Sequence, residues 1–183
     1  MKLLTTLIAL LTGVLMTTNA SAQDLENTLY MTLEDGVVVI QMYPDKAPKH
    51  VARIKELTRE GFYDGVVFHR VIDGFMAQTG DPSGTGAGGS GKNIKAEFND
   101  VQHTRGVVSM ARAANINSAD SQWFIMLAPA PHLDGQYTAW GKVIEGMDYV
   151  DNIQKGDSMN NGAVDNPDKI IKLEVAADAK KAQ

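Results

Sequence analysis

Tyr63-Asp64-Gly65-Val66-Val67-Phe68-His69-Arg70-Val71-Ile72-Asp73-Gly74-Phe75-Met76-Ala77-Gln78-Thr79-Gly80-Asp81 is the stretch on which the reading of this chain turns. Val66 to Ile72 is β-branched and apolar around one cation, the pattern of a strand. In a strand Phe68 and Arg70 share one face and His69 points to the other. If Phe68 packs on apolar neighbours, Arg70 emerges beside them. Taken singly, Arg70, Phe75 and Gln78 are an ion-paired surface residue, a core aromatic and a loop amide. Placed together at one end of an apolar strand they suggest a site.

Outward from this stretch the chain reads as many strands and few helices. Leu29–Leu33 and Val37–Met42 flank Asp35-Gly36, which has the chemistry of a tight hairpin turn. Pro48 to Glu60 has Val51, Ile54 and Leu57 on one stripe, Pro48 in the first turn and Gly61 at the stop, so it reads as an amphipathic helix. Val107–Ala111, Gln122–Leu127, Thr138–Ile144 and Ile170–Val175 read as further strands. Met147, Val150 and Ile153 mark a second helical stripe closed by Gly156. Asn152 to Asp168 is a polar surface loop, and Ala176 to Gln183 a mobile polar tail. Helices too few for a parallel sheet with crossovers point to an antiparallel barrel or sandwich.

Composition narrows the chemistry. The 183 residues are 44% hydrophobic and 21% charged, which excludes a disordered chain. A formal charge of −5 gives no global basic field for nucleic acid or anionic lipid, so neither is expected as a partner. Without cysteine there is no thiolate nucleophile, disulfide or zinc–thiolate site. His50, His69, His103 and His132 form no metal-ligand spacing, and no metal or cofactor is expected. Gly84 to Gly89 matches a dinucleotide-binding pattern literally. It follows Asp81-Pro82-Ser83 rather than a strand and opens no helix, so it reads as a mobile glycine-rich surface loop. Asp157, Asn161 and Gly162 fit part of a calcium loop, but Met159 stands where an oxygen ligand is required.

Residues 1–22 have the three-part layout of a secretory signal: Lys2, the apolar run Leu3–Met16, and Ala20-Ser21-Ala22 before a cut ahead of Gln23. That run is too short to span a bilayer as a helix. The expected product is one domain, residues 23–183, delivered to the periplasm, free of the membrane after cleavage, and monomeric.

The stretch from Tyr63 to Asp81 resembles the signature of the cyclophilin-type peptidyl-prolyl isomerases. The resemblance continues through Gly106–Ala113, Ser121–Ile125, Leu133-Asp134-Gly135 and Gly141-Lys142-Val143. It implies a closed eight-stranded antiparallel β-barrel capped by two α-helices, and rotation about X–Pro bonds as the activity. By resemblance, Arg70, Phe75, Gln78 and Phe124 are the catalytic set. Met76, Phe75, Phe124 and Leu133 line the proline pocket, with His132 and Tyr137 beside it. Ala111, Arg112 and Ala113 take the substrate backbone as an added strand, and Gln122 pairs with Gln78. His69 is expected to pack structurally.

Several positions depart from the familiar pattern. Arg112 stands where Asn is common, His132 where many eukaryotic members have Trp, and Tyr137 where His is common. Asp73 replaces a usual Pro, Thr79 a usual Gly and Trp123 a frequent Phe. Together they resemble bacterial members. They bear on sequence preference and on binding of cyclosporin, which family members take in this groove.

The residues themselves suit amide rotation better than bond-making, since they offer no paired carboxylates and no activated nucleophile. Rotation about a peptide bond faces a barrier of about 18–20 kcal/mol because the twisted state loses C–N resonance. In that state the prolyl nitrogen regains a lone pair, and a guanidinium nearby stabilises it selectively. The substrates expected are X–Pro segments of unfolded or partly folded exported proteins. The alternative is a non-catalytic proline-peptide binding module or holdase chaperone on the same scaffold, which would have no use for Arg70.

Overall fold

The computed structural model describes residues 24–179. The expected signal segment 1–22, together with Gln23 and residues 180–183, lies outside the described residues. In chain order the elements are β1 (Thr28–Thr32), β2 (Val37–Met42), α1 (Pro48–Arg59), β3 (Arg70–Ile72), β4 (Met76–Thr79), β5 (Val107–Met110), β6 (Trp123–Met126), β7 (Ala139–Glu145), α2 (Met147–Asn152), β8 (Lys172–Val175) and the short α3 (Ala176–Ala179). The eight strands form one sheet in the order β3-β4-β6-β5-β7-β2-β1-β8. Every pairing is antiparallel.

The expected closed barrel is corrected by this order. The sheet ends at β3 and β8, and no ladder joins them. Irregular chain fills the seam instead. The Gly65 amide donates to the Ile170 carbonyl at 2.7 Å, Phe68 to Asp168 at 2.8 Å and Ile170 to Val66 at 2.9 Å. The strand expected over Val66–Ile72 therefore shrinks to Arg70–Ile72, with Val67 in one isolated bridge to Lys169. The alternation expected from Phe68 to Arg70 also breaks here. Phe68 is fully buried in the main core with Val71, whereas Ile72 packs on a second apolar cluster across the sheet.

One strand was not read from the sequence. Met76–Thr79 pairs with β3 through a turn at Asp73-Gly74, where Gly74 takes a φ of 65° and the Phe75 amide donates to the Ile72 carbonyl at 3.0 Å. Asp-Gly is hairpin chemistry, but Met-Ala-Gln-Thr shows no clear alternation.

α1 begins as read, with Pro48 in its first turn, and buries Val51, Ile54 and Leu57. Ala47 offers no side-chain cap. The cap comes from Glu97, whose carboxylate accepts from the Lys49 and His50 amides at 3.0 and 3.1 Å. That places negative charge at the helix N-terminus, where it is stabilising. The start of the expected mobile tail is α3, with Ala176 fully buried and Arg59 Nε donating to Asp178 at 2.8 Å.

Strand β6 shows how the site is positioned. Trp123 and Ile125 enter the main core, while Phe124 and Met126 enter the second cluster with Met76, Val107 and Leu133. A strand covered on both faces reads as a continuous apolar run, which is why it carries no polar alternation. The second cluster forms the floor of the site on the outer face of the sheet.

Candidate active site

The register sets Arg70 of β3 opposite Gln78 of β4, Gln78 opposite Phe124 of β6, and Phe124 opposite Ser109 of β5. Residues directly opposite in a sheet share a face. One row across four strands therefore holds the cation, the amide and the aromatic that the sequence singled out.

Arg70 is fixed by uncharged acceptors. Its Nη1 donates to Gln78 Oε1 at 3.1 Å, its Nε to the Asn161 carbonyl at 3.0 Å and its Nη2 to Asn161 Oδ1 at 3.0 Å. Met76 Sδ lies 3.9 Å from Nη1. No carboxylate is among these partners, so the full positive charge is presented to the groove. Burial pulls the guanidinium below its ordinary pKa, from a value so high that it remains charged.

Beside it lies a cavity of about 340 Å³ lined by Phe75, Met76, Phe124, Leu133, His132 and Tyr137, with Arg70, Gln78, Ala111 and Arg112 at its rim. The walls are ordered by ring contacts. His132 stacks on Phe75 at 5.9 Å between centroids, and Tyr137 meets Phe124 edge-on at 5.8 Å. A 3-10 turn, Pro131–Leu133, presents His132 and Leu133. A second cavity of about 510 Å³ adjoins it, lined by Ala111, Arg112, Ala113, Gln122 and Gln78 together with Gly86–Gly89. The structure thus brings all twelve expected residues to one continuous groove. A cavity of about 580 Å³ lies elsewhere, between Leu33–Asp35, Tyr149 and Pro167–Lys169, and shares none of these residues.

Three supports were not visible in the sequence. The first is the glycine-rich loop, expected to be mobile. Asp81 is fully buried beneath it and accepts from the amides of Ser83, Thr85, Gly86 and Gly88 at 2.8, 3.1, 2.7 and 3.1 Å. Gly88 passes so close that an added Cβ would lie 2.3 Å from Asp81 Oδ1. Burial alone would raise the Asp81 carboxyl, but bonds from Ser83, Gly88 and Gly86 outweigh it and bring its pKa down to about 2. The loop then holds the site. Gln122 Nε2 donates to the Gly86 and Gly88 carbonyls at 3.0 and 2.8 Å, and its Oε1 accepts from Gln78 Nε2 at 2.9 Å. Gln78 in turn accepts from Arg70, so a polar chain runs from Asp81 to the guanidinium.

The second support is His103. Its Nδ1 lies 2.9 Å from Asp134 Oδ1 and its Nε2 2.8 Å from Ser109 Oγ, while its ring stacks on Phe124 at 6.4 Å. The sequence of groups is that of a nucleophilic triad. Ser109 and His103 are buried to 0% and 1% exposure, however. A hydroxyl sealed from substrate attacks nothing, so the trio braces Phe124 from below. Behind the site, the His69 ring is buried as expected, and burial lowers its pKa.

The third support is Asn161, in the segment between α2 and β8. It is the one non-glycine residue among those described with positive φ, at 52°. Its two oxygens hold the Arg70 fork. The Asn161-Gly162 pair was the available signal, since both residues tolerate left-handed backbone. Asn161→Gly keeps that backbone and the carbonyl acceptor but removes Oδ1. Losing one hydrogen bond worth about 1 kcal/mol should lower kcat roughly fivefold with little change in KM or melting temperature. An unchanged kcat would show that Oδ1 does not position the guanidinium.

Known proteins resemble the chain in sequence and in fold. A family model described as "Cyclophilin type peptidyl-prolyl cis-trans isomerase/CLD" matches residues 28–175. The chain is 53% identical to a probable peptidyl-prolyl cis-trans isomerase of Brucella suis biovar 1, covering 94% of this chain and 93% of that one. It is 45% identical to peptidyl-prolyl cis-trans isomerase B of Bacillus subtilis, covering 75% of this chain and 98% of that one. Among solved structures, cyclophilin AquaCyp293 from Hirschia baltica superposes with a TM-score of 0.75 at 28% identity, covering 85% of this chain and 76% of that one. A Cryptosporidium parvum cyclophilin-type isomerase, crystallised in the presence of the dipeptide Ala-Pro, superposes with a TM-score of 0.73 at 29% identity, covering 81% and 98%. The chain belongs to the cyclophilin-type peptidyl-prolyl cis-trans isomerases, a family of isomerase enzymes.

Proposed function

We propose that this isomerase accelerates rotation about X–Pro bonds in exported proteins within the periplasm, with Arg70 as the group that stabilises the twisted amide. The observation that carries the mechanism is a guanidinium held only by uncharged acceptors at the rim of an apolar cavity. The proline ring fills the cavity walled by Phe75, Met76, Phe124 and Leu133. The residues before proline lie along Ala111–Ala113, where an extended chain adds to the edge. As the amide twists, the prolyl nitrogen becomes pyramidal and basic, and Arg70 donates towards its lone pair. This interaction is absent from the planar ground state, so it lowers the barrier rather than only tightening binding. The Ala-Pro dipeptide named with the Cryptosporidium structure is the kind of ligand this cavity suits. The export reading rests on the layout of residues 1–22, and the domain 23–183 is taken to act as a monomer.

Two measurements test this. No proton is transferred in the proposed step, so kcat/KM should vary less than about threefold between roughly pH 6 and 9, where a His or tuned carboxylate would titrate. A bell-shaped profile would mean that a titrating catalyst acts in place of bare Arg70 stabilisation. Fractionation of a Gram-negative host expressing the full chain should yield a protein beginning at Gln23 in the osmotic-shock fraction. Uncleaved protein confined to the cytoplasm would overturn the export reading.

A further inference from the structure

Arg112 occupies the lip between the two cavities, lining both. Its guanidinium sits 4.6 Å above the centre of the Tyr137 ring. Nε and Nη2 donate to the Gln136 carbonyl at 3.3 and 3.1 Å, and Nη1 donates to the Ala113 carbonyl at 3.0 Å. The cation–π contact and three bonds to carbonyls hold the head group in place without neutralising it. An arginine offers five N–H donors in a rigid fork, and these bonds leave part of that fork for a ligand.

The surroundings set the sign. Among the described residues no carboxylate lines the proline cavity, which carries Arg70 and Arg112. The one carboxylate in the adjoining cavity is Asp120, which already accepts from Ser90 Oγ and from the Gly91 amide at 2.8 Å. In a chain of net charge −5, the proline cavity thus carries two cations, a local charge opposite in sign to the whole. The proposed path of the substrate backbone along Ala111–Ala113 brings the residue before proline past Arg112.

We propose that Arg112 is a specificity-determining residue that makes this enzyme favour X–Pro bonds in which X is acidic and disfavour those in which X is basic. The inference rests on the substrate path proposed above. An exposed charge pair is weak and screened by salt, so the selectivity is a modest factor with a definite salt dependence.

The test compares three otherwise identical tetrapeptides bearing Glu, Gln or Lys immediately before proline. The wild-type enzyme should show kcat/KM for the Glu peptide roughly three- to tenfold above that for the Lys peptide, with Gln between. Arg112→Gln should bring the Glu-to-Lys ratio close to one, and Arg112→Lys should restore most of it. Raising salt from about 0.02 to 0.5 M should shrink the wild-type ratio in parallel, a readout that needs no variant to fold. A wild-type ratio of one or below, or a ratio that survives Arg112→Gln, overturns the proposal. Failure of the wild type to turn over even the Gln peptide would instead overturn the proposed site itself.

Discussion

Arg70→Ala is expected to lower kcat/KM roughly 100- to 1000-fold, the effect of losing one preorganised donor worth about 2.7–4 kcal/mol in the transition state. The reason lies in how the side chain is held. Gln78 and Asn161 fix the fork with neutral oxygens, so no counter-charge competes for it and no reorganisation is needed as the amide twists. Arg70 lies outside both apolar clusters, so the melting temperature should shift by only a few degrees. Arg70→Lys should rescue poorly, because an ammonium cannot reproduce the fork that engages Gln78 and Asn161 together. Near-normal turnover by a folded Arg70→Ala protein would leave only the binding role.

Asp81→Ala should be the most damaging single change outside the apolar core. The carboxylate is fully buried and is the acceptor for four loop amides and for the Ser83 hydroxyl. Stranding buried donors costs about 1–3 kcal/mol each, and not additively, so a loss of about 3 kcal/mol or more is expected by denaturant unfolding at neutral pH. The same residue sets an acid limit. Its folded pKa of about 2 lies below the ordinary carboxylate value of 3.8, so its contribution is complete above the unfolded value. It is lost as pH falls from about 4 towards 2, amounting to about 2 kcal/mol in the wild type. The variant should lack that part of the acid slope. Its kcat should also fall with Arg70 intact, because the Gly86 and Gly88 carbonyls no longer anchor Gln122. A variant as stable as the wild type would show that the loop holds itself together without the carboxylate.

How much of this was legible in the sequence differs by element. α1 was readable because Val51, Ile54 and Leu57 repeat at helical spacing and face one core. β6 was readable as an apolar run because both its faces are buried. β4 was not, because Gln78 and Thr79 contribute a site residue and a buried hydroxyl where a strand pattern expects alternation. The closed barrel implied by resemblance gave way to an open order because Val66–His69 and residues 163–170 meet through scattered hydrogen bonds instead of a ladder. Within the site, Arg70, Phe75 and Gln78 were visible at set offsets in one stretch, and Phe124 entered only through the family resemblance. Their supports were not. Asp81 reads as a turn residue, Ser109 as a small strand residue and Asn161 as loop, and each becomes meaningful only when the fold brings in partners from distant segments. The glycine run shows the converse: its flexibility by composition is overruled by one buried carboxylate.

The central claim is that Arg70 acts on the twisted amide and not on the bound ground state. The most direct measurement is the cis–trans exchange rate of a saturating X–Pro peptide on the enzyme, followed by NMR together with its dissociation constant, for the wild type and for Arg70→Ala. Exchange on the enzyme should fall at least about 100-fold while the dissociation constant changes less than about threefold, which is under 1 kcal/mol. If exchange and affinity fell together by the same factor, Arg70 would serve binding alone, and the mechanism argued here would be contradicted.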